Sequence, residues 1–302
     1  MSVDLPSSLP SSALLGEVVS WDMKATEVNY AAVQDAVQDA LRDAGLDPDE
    51  ARDMTPQSAF SRACRSMKEE RTIDKLDVDK GVIRFQFTKK HLAGERLDFD
   101  YECTVRLDSS TGDIECHENT ILEQHARELF AHAMQTRNAN DVTLIIKRLF
   151  KENADLYAIN KRGFAYFVPE CHRPFTAKVD AFLLSLGGQL ARFPVPKGTP
   201  EGNASVKDAV QHGLSGLLGE LTAAVEGWDE TTRPATMKKA LERWEKIQFK
   251  ADAYAEYLGS EQERLLESLA VAKQDLQRRI LELKPEGSEG AETADEEELA
   301  TA

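Results

Sequence analysis

Two periodicities divide the chain. Apolar residues recur at helical spacing at Tyr30, Val33, Val37, Ala40 and Leu41, and again at Ala59, Phe60, Ala63, Cys64 and Met67. Asn29 is placed to cap the first helix and Gly45 to end it, while Thr55 and Pro56 open the second. From Thr72 the period becomes two. Residues 82–88 put Ile83, Phe85 and Phe87 on one face. Residues 97–107 do the same with Leu97, Phe99, Tyr101, Cys103, Val105 and Leu107. Gly81 and the run 108–113 mark turns, and a last short strand surrounds Ile114 and Cys116. This alternation predicts an antiparallel sheet with one solvated face. Ahead of it, Val19, Trp21 and Met23 alternate as in an edge strand.

The pattern then returns to helix. Residues 120–135 turn Ile121, Leu122, Leu129, Phe130 and Met134 inward, and residues 141–153 do so with Val142, Ile145, Ile146, Leu149 and Phe150. Residues 156–159 and 164–168 read as a hairpin about a turn at 160–163, ended by Pro169. A helix over 175–186 closes at Gly187 and Gly188, a strand covers 190–195, and 196–203 is a linker. Leu214, Leu217, Leu218 and Leu221 give a helix over 206–225, in which Gly213, Gly216 and Gly219 either weaken it or admit a close neighbour.

From Met237 the spacing alternates between three and four. The seam runs through Met237, Ala240, Trp244, Ile247, Ala251, Tyr254 and Leu258, then Leu265, Leu269, Ala272, Leu276, Ile280 and Leu283. The fold expected from these elements is α+β. A helix–antiparallel sheet domain covers 14–118 and a winged-helix-like central unit 119–195. The C-terminal region, 204–284, is a long helical hairpin or coiled coil. A disordered arm spans 1–13 and a disordered acidic tail 285–302.

Charge narrows the choice of partner. The net charge is −16, and residues 286–302 carry seven acids and no base, which leaves −9 for the rest. Such a body repels nucleic acid, so any contact must be a local basic patch. Residues 142–178 hold seven cations against three acids. Lys147, Arg148 and Lys151 lie on the polar side of one helix, and Lys161 and Arg162 occupy the hairpin turn. A helix with a basic wing is how winged-helix domains meet DNA. Lys89, Lys90, His91 and Arg96 form a second basic turn between two strands.

Signatures of catalysis are absent. The sequence has no phosphate-binding loop, dinucleotide fingerprint, HExxH, GxSxG or CxxC pair. His125, Glu128 and His132 share one helix face, an incomplete metal shell that reads as solvated surface. Cys171 and His172 are neighbours whose side chains diverge. No metal or cofactor is expected. Cys64, Cys103, Cys116 and Cys171 are scattered, as free thiols are in a reducing compartment. No apolar run approaches the roughly 18 residues of a membrane span, and the start has no cationic leader, which predicts a cytoplasmic protein.

The segment Gly163-Phe164-Ala165-Tyr166-Phe167-Val168-Pro169, with Val179, Asp180, Leu186, Gly187 and Gly188 after it, resembles uncharacterised prokaryotic and phage proteins of about this size. The resemblance covers about 140–200, implies phage or mobile-element origin, and brings no catalytic residue with it. The function expected is that of a non-enzymatic interaction or assembly protein. It would self-associate through Met237, Trp244, Ile247, Tyr254, Leu258, Leu265, Leu269, Leu276, Ile280 and Leu283 as a homo-oligomer or with a partner protein. The central unit would contact nucleic acid or another protein. The alternative is a purely structural or adaptor protein without nucleic-acid binding, and a third class, ranked below both, is a metal-dependent enzyme using His125 and His132.

Overall fold

The computed structural model describes residues 13–23, 32–69, 71–76, 79, 81–93, 96–160 and 163–283. Residues 1–12 of the expected arm, Asn29, Tyr30, Lys161, Arg162 and the acidic tail lie outside the described residues.

The chain is α+β. Strand β1 (Leu14–Asp22) is followed by β2 (Ala32–Val33) and helix α1 (Gln34–Asp43). Gly45, at φ 67°, closes α1 with its N–H on the Arg42 carbonyl, and Leu46 returns to the Leu41 carbonyl at 2.9 Å. The Thr55 hydroxyl accepts from the Ser58 N–H at 3.2 Å and so caps α2 (Pro56–Ser66). Strands β3 (Arg71–Lys75), β4 (Val82–Ala93), β5 (Arg96–Asp108) and β6 (Ile114–Glu115) form an antiparallel meander in that order. Helix α3 (Thr120–Gln135) starts at the Asn119 cap, and β7 (Thr136–Arg137) pairs antiparallel with β2. A reciprocal pair, Asn138 and Asp141, caps α4 (Ala139–Asn153). Then come β8 (Tyr157–Ala158), β9 (Tyr166–Pro169), α5 (Arg173–Ser185) and β10 (Gln189–Pro196). Four helices complete the described residues: α6 (Pro200–Glu226), α7 (Pro234–Ala253), α8 (Ala255–Leu258) and α9 (Glu261–Leu283).

These elements sort into two discontinuous compact units. The helix–sheet unit comprises Trp21–Ala154 and Pro174–Leu190; the bundle unit comprises the described parts of Met1–Ser20, Asp155–Arg173 and Ala191–Ala302. The sequence suggested contiguous blocks at 14–118, 119–195 and 204–284. The chain instead returns to its own N-terminal strand. That return splits the expected winged-helix-like unit: α4 belongs to the helix–sheet unit and the β8–β9 hairpin to the bundle unit.

The bundle unit carries a sheet of order β10-β1-β9-β8. Strand β1, expected at an edge, is interior. Gly16 is the reason it fits there, since a Cβ at this position would lie 2.2 Å from the Val168 carbonyl oxygen. Buried Glu17 on β1 is held by a two-pronged bond from Arg192 at 2.9 Å. Gly213 of α6 lies against the Tyr157 ring, where a Cβ would come 2.5 Å from the ring edge. Gly216 and Gly219 face open space.

The heptad seam closes within one chain. Trp244 of α7 bonds the Leu269 carbonyl of α9, and Lys273 lies 4.5 Å from the Trp244 ring centre, so the two helices run antiparallel about the α8 turn. Met237, Trp244, Ile247, Tyr254, Leu258, Leu265, Leu269 and Leu276 are buried in one cluster with Val210, Leu214 and Leu221 of α6; Ile280 and Leu283 pack against it half-buried. Eight of the ten side chains expected to join two chains therefore lie in the core of this unit, and the other two pack against it.

The helix–sheet unit buries the other face set. Phe60 and Cys64 of α2 and Leu122 and Ala126 of α3 cover Ile83, Phe85, Phe87, Cys103, Val105 and Leu107. Ile121, expected inward, is 81% exposed, and Ala126 and Ala133 take its place on the buried stripe. No helix among the described residues is long and apolar enough to cross a membrane.

Candidate interaction surface

The β4–β5 ladder is longer than its neighbours. β3 pairs with β4 from Lys75 to Arg71, ending opposite Lys89, and β6 pairs with β5 only at Arg106 and Leu107. Among the described residues, β4 and β5 pair beyond these points with each other alone, out to Ala93 opposite Arg96. The result is a two-stranded arm.

Its polarity is inverted by one residue. Phe87 lies opposite Cys103, but Thr88 lies opposite Tyr101, so Glu102 is an extra residue in β5. Because side chains alternate along a strand, one extra residue transfers everything beyond it to the other face. Leu97, Phe99 and Tyr101, expected beside Cys103, Val105 and Leu107 in the core, therefore point to the solvent side. The Tyr101 hydroxyl shows this, standing 3.1 Å from the Thr104 hydroxyl and donating to Glu118 at 2.8 Å. Leu92 is 75% exposed, Leu97 52%, Phe99 53% and Tyr101 55%, against 0% for Cys103, Val105 and Leu107.

Opposed residues share a face, so Leu92–Leu97 and Lys90–Phe99 make one side of the arm, continued at its base by Thr88–Tyr101, where β3 still flanks β4. The other side pairs His91 with Asp98 and Lys89 with Asp100. His91 also reaches Asp100 at 3.5 Å. Glu102 itself is pinned by Arg71, whose Nε lies at 2.6 Å and Nη2 at 3.1 Å. That hydrogen bond holds the Glu102 carboxyl below its ordinary pKa. The extra residue is thus fixed by an ion pair, and the inversion it causes is a fixed feature of the ladder.

A second polar constellation lies inside the bundle unit. The carboxylate of Asp155, 8% exposed, accepts from Lys250 Nζ and from the Tyr254 hydroxyl, and His172 Nε2 stands 3.4 Å from it and 3.0 Å from Tyr254. Burial opposes the charge on Asp155, but the bonds from His172, Lys250 and Tyr254 outweigh it and bring its pKa to about 2. Burial and the same carboxylate push the Tyr254 phenol up, and burial raises Tyr257 to about 12. Cys171 is exposed, and desolvation holds its thiol above the ordinary value. Since the thiolate is the nucleophile, this is the opposite of activation. His172 faces Tyr254 and Asp155, and the network ties the β8–β9 segment to α7.

The remaining expected residues are dispersed. Lys147 and Lys151 are exposed on α4, while Arg148 stands 3.8 Å from Glu50. His125, Glu128 and His132 are exposed along α3, with Glu128 accepting from Gln124 at 2.8 Å. All four cysteines are free.

The sequence matches the family of unknown function DUF6744 over residues 14–292. The chain belongs to this family. The DUF6744 match spans both compact units and includes the arm at full length. No curated protein and no solved structure matches the chain.

Proposed function

We propose that this DUF6744 chain is a non-enzymatic interaction protein and that the β4–β5 arm is its contact element for another protein. One observation carries this reading: four large apolar side chains are more than half exposed on one face of the β4–β5 hairpin. A contiguous apolar face of this kind on a soluble surface marks a contact site, and a lone hairpin gains little stability in water from keeping it. The seam at 237–283 supplies a rigid bundle instead of a joint between chains, because its apolar residues are spent in the core. A phage or mobile-element origin fits a part of this kind.

The test places a photo-crosslinking phenylalanine analogue at Phe99 of the full chain, in extract of cells that carry the gene. A protein adduct is expected that is absent when the analogue replaces exposed Asp113, and that disappears when Leu97 and Tyr101 are both changed to Ser. Identical adducts from positions 99 and 113 would overturn the reading.

A further inference from the structure

The free edge of the arm specifies what can lie along it. Among the described residues, no strand pairs with β5 between Leu97 and Glu102 on the side away from β4. An exposed strand edge offers a row of backbone N–H and C=O groups to an added strand. The two faces next to that edge differ sharply. Leu97, Phe99 and Tyr101 line one, and Asp98 and Asp100 line the other. Asp100 keeps 75% of its side chain exposed despite His91.

Two copies of the chain pairing β5 with β5 would bring Asp98 and Asp100 against their own kind, which like charges disfavour. A strand of another protein meets no such obstacle if its side chains alternate in the complementary way.

Building on the reading of the arm as a contact element, we propose that its occupant is an extended protein segment alternating apolar and basic residues, added to the outer edge of β5. The apolar side chains pack beside Leu97, Phe99 and Tyr101. The Lys or Arg side chains face Asp98 and Asp100. Backbone bonds supply the pairing, and the alternation supplies the register.

The probes are fluorescein-labelled eight-residue peptides, acetylated and amidated, alternating valine with lysine or valine with glutamate, titrated into the full chain by anisotropy. The lysine peptide is expected to bind and the glutamate peptide not. Asp98→Asn with Asp100→Asn is expected to weaken binding about three- to tenfold, with the difference shrinking in salt. Phe99→Ser is expected to weaken it about tenfold or more. Circular dichroism matching the wild type establishes that each variant is folded. Equal binding of both peptides, binding indifferent to Phe99→Ser, or displacement of the lysine peptide by a single-stranded oligonucleotide would overturn the proposal. So would a dimer in light scattering that Phe99→Ser dissolves without any peptide binding. A specific adduct from position 99 that the lysine peptide does not compete away sinks this occupant alone, whereas absence of any specific adduct sinks the contact reading itself.

Discussion

Trp244 of α7 donates its indole N–H to the backbone carbonyl of Leu269 in α9 across 2.9 Å. The indole is buried at 8% exposure, and Lys273 sits over its ring. Truncation to Trp244→Ala leaves both a cavity and an unpaired carbonyl in the bundle. A loss of about 3–5 kcal/mol is expected in urea unfolding followed by circular dichroism. A loss under about 1 kcal/mol would mean that the α7–α9 seam does not hold the unit.

The three glycines of α6 should separate by sign. Gly216→Ala and Gly219→Ala add a Cβ in open space and are expected to stabilise by about 0.5–1 kcal/mol each, as helix propensity dictates. Gly213→Ala drives its methyl into the Tyr157 ring and is expected to cost about 1–3 kcal/mol. Thermal midpoints of the three variants give the comparison directly.

Asp155 makes the bundle unit acid-sensitive. Its pKa is lowered from 3.8 to about 2, so its contribution is complete above the ordinary value and is lost as pH falls between the two. The difference amounts to about 2 kcal/mol. Stability should therefore fall more steeply in the wild type than in Asp155→Asn from about pH 4 to about pH 2. Parallel slopes in denaturant midpoints across that range would show that the carboxylate is not held as described.

The bulge predicts opposite outcomes for residues that share one alternating run. Phe99→Ala should change stability by no more than about 0.5 kcal/mol, because the ring is exposed. Leu107→Ala, at 0% exposure, should cost about 2–5 kcal/mol. Chemical denaturation of the two variants tests the register on both sides of Glu102.

With a net charge of −16 and Arg148 facing Glu50, the full chain is expected to leave duplex DNA unshifted in gel electrophoresis at roughly 0.15 M salt. A shift abolished by Lys147→Ala with Lys151→Ala would instead assign α4 to nucleic acid.

Much of the fold was legible because its signals are local. The Thr55–Pro56 start and the Gly45 stop each act within one helical turn, whereas the Asn138–Asp141 box, which starts α4 at Ala139, reads in the sequence only as a turn before Asp141. The seam from Met237 to Leu283 was legible as a buried face, but spacing alone does not say whether the opposite face belongs to the same chain. The pairing of β1 with β9 joins Gly16 to Pro169, and nothing local in either segment announces it. The candidate surface was hidden by the alternation itself, since Leu97 to Leu107 reads as one unbroken face. The signal lay on the partner strand. In β4 the apolar alternation stops at Phe87, so Thr88 and Lys90 offer nothing apolar opposite Tyr101 and Phe99.

Glu102 gives the arm an unusual evolutionary handle. The surface owes its outward direction to one residue more in β5 than in β4, and its apolar character to Leu97, Phe99 and Tyr101. An in-frame loss of the Glu102 codon would leave Tyr101 opposite Thr88 and Phe99 opposite Lys90 in a regular ladder, with the apolar residues still outward. One residue inserted into β4 between Phe87 and Thr88, by contrast, would pair with Glu102 and turn Leu97, Phe99 and Tyr101 inward while each of them stayed in the sequence.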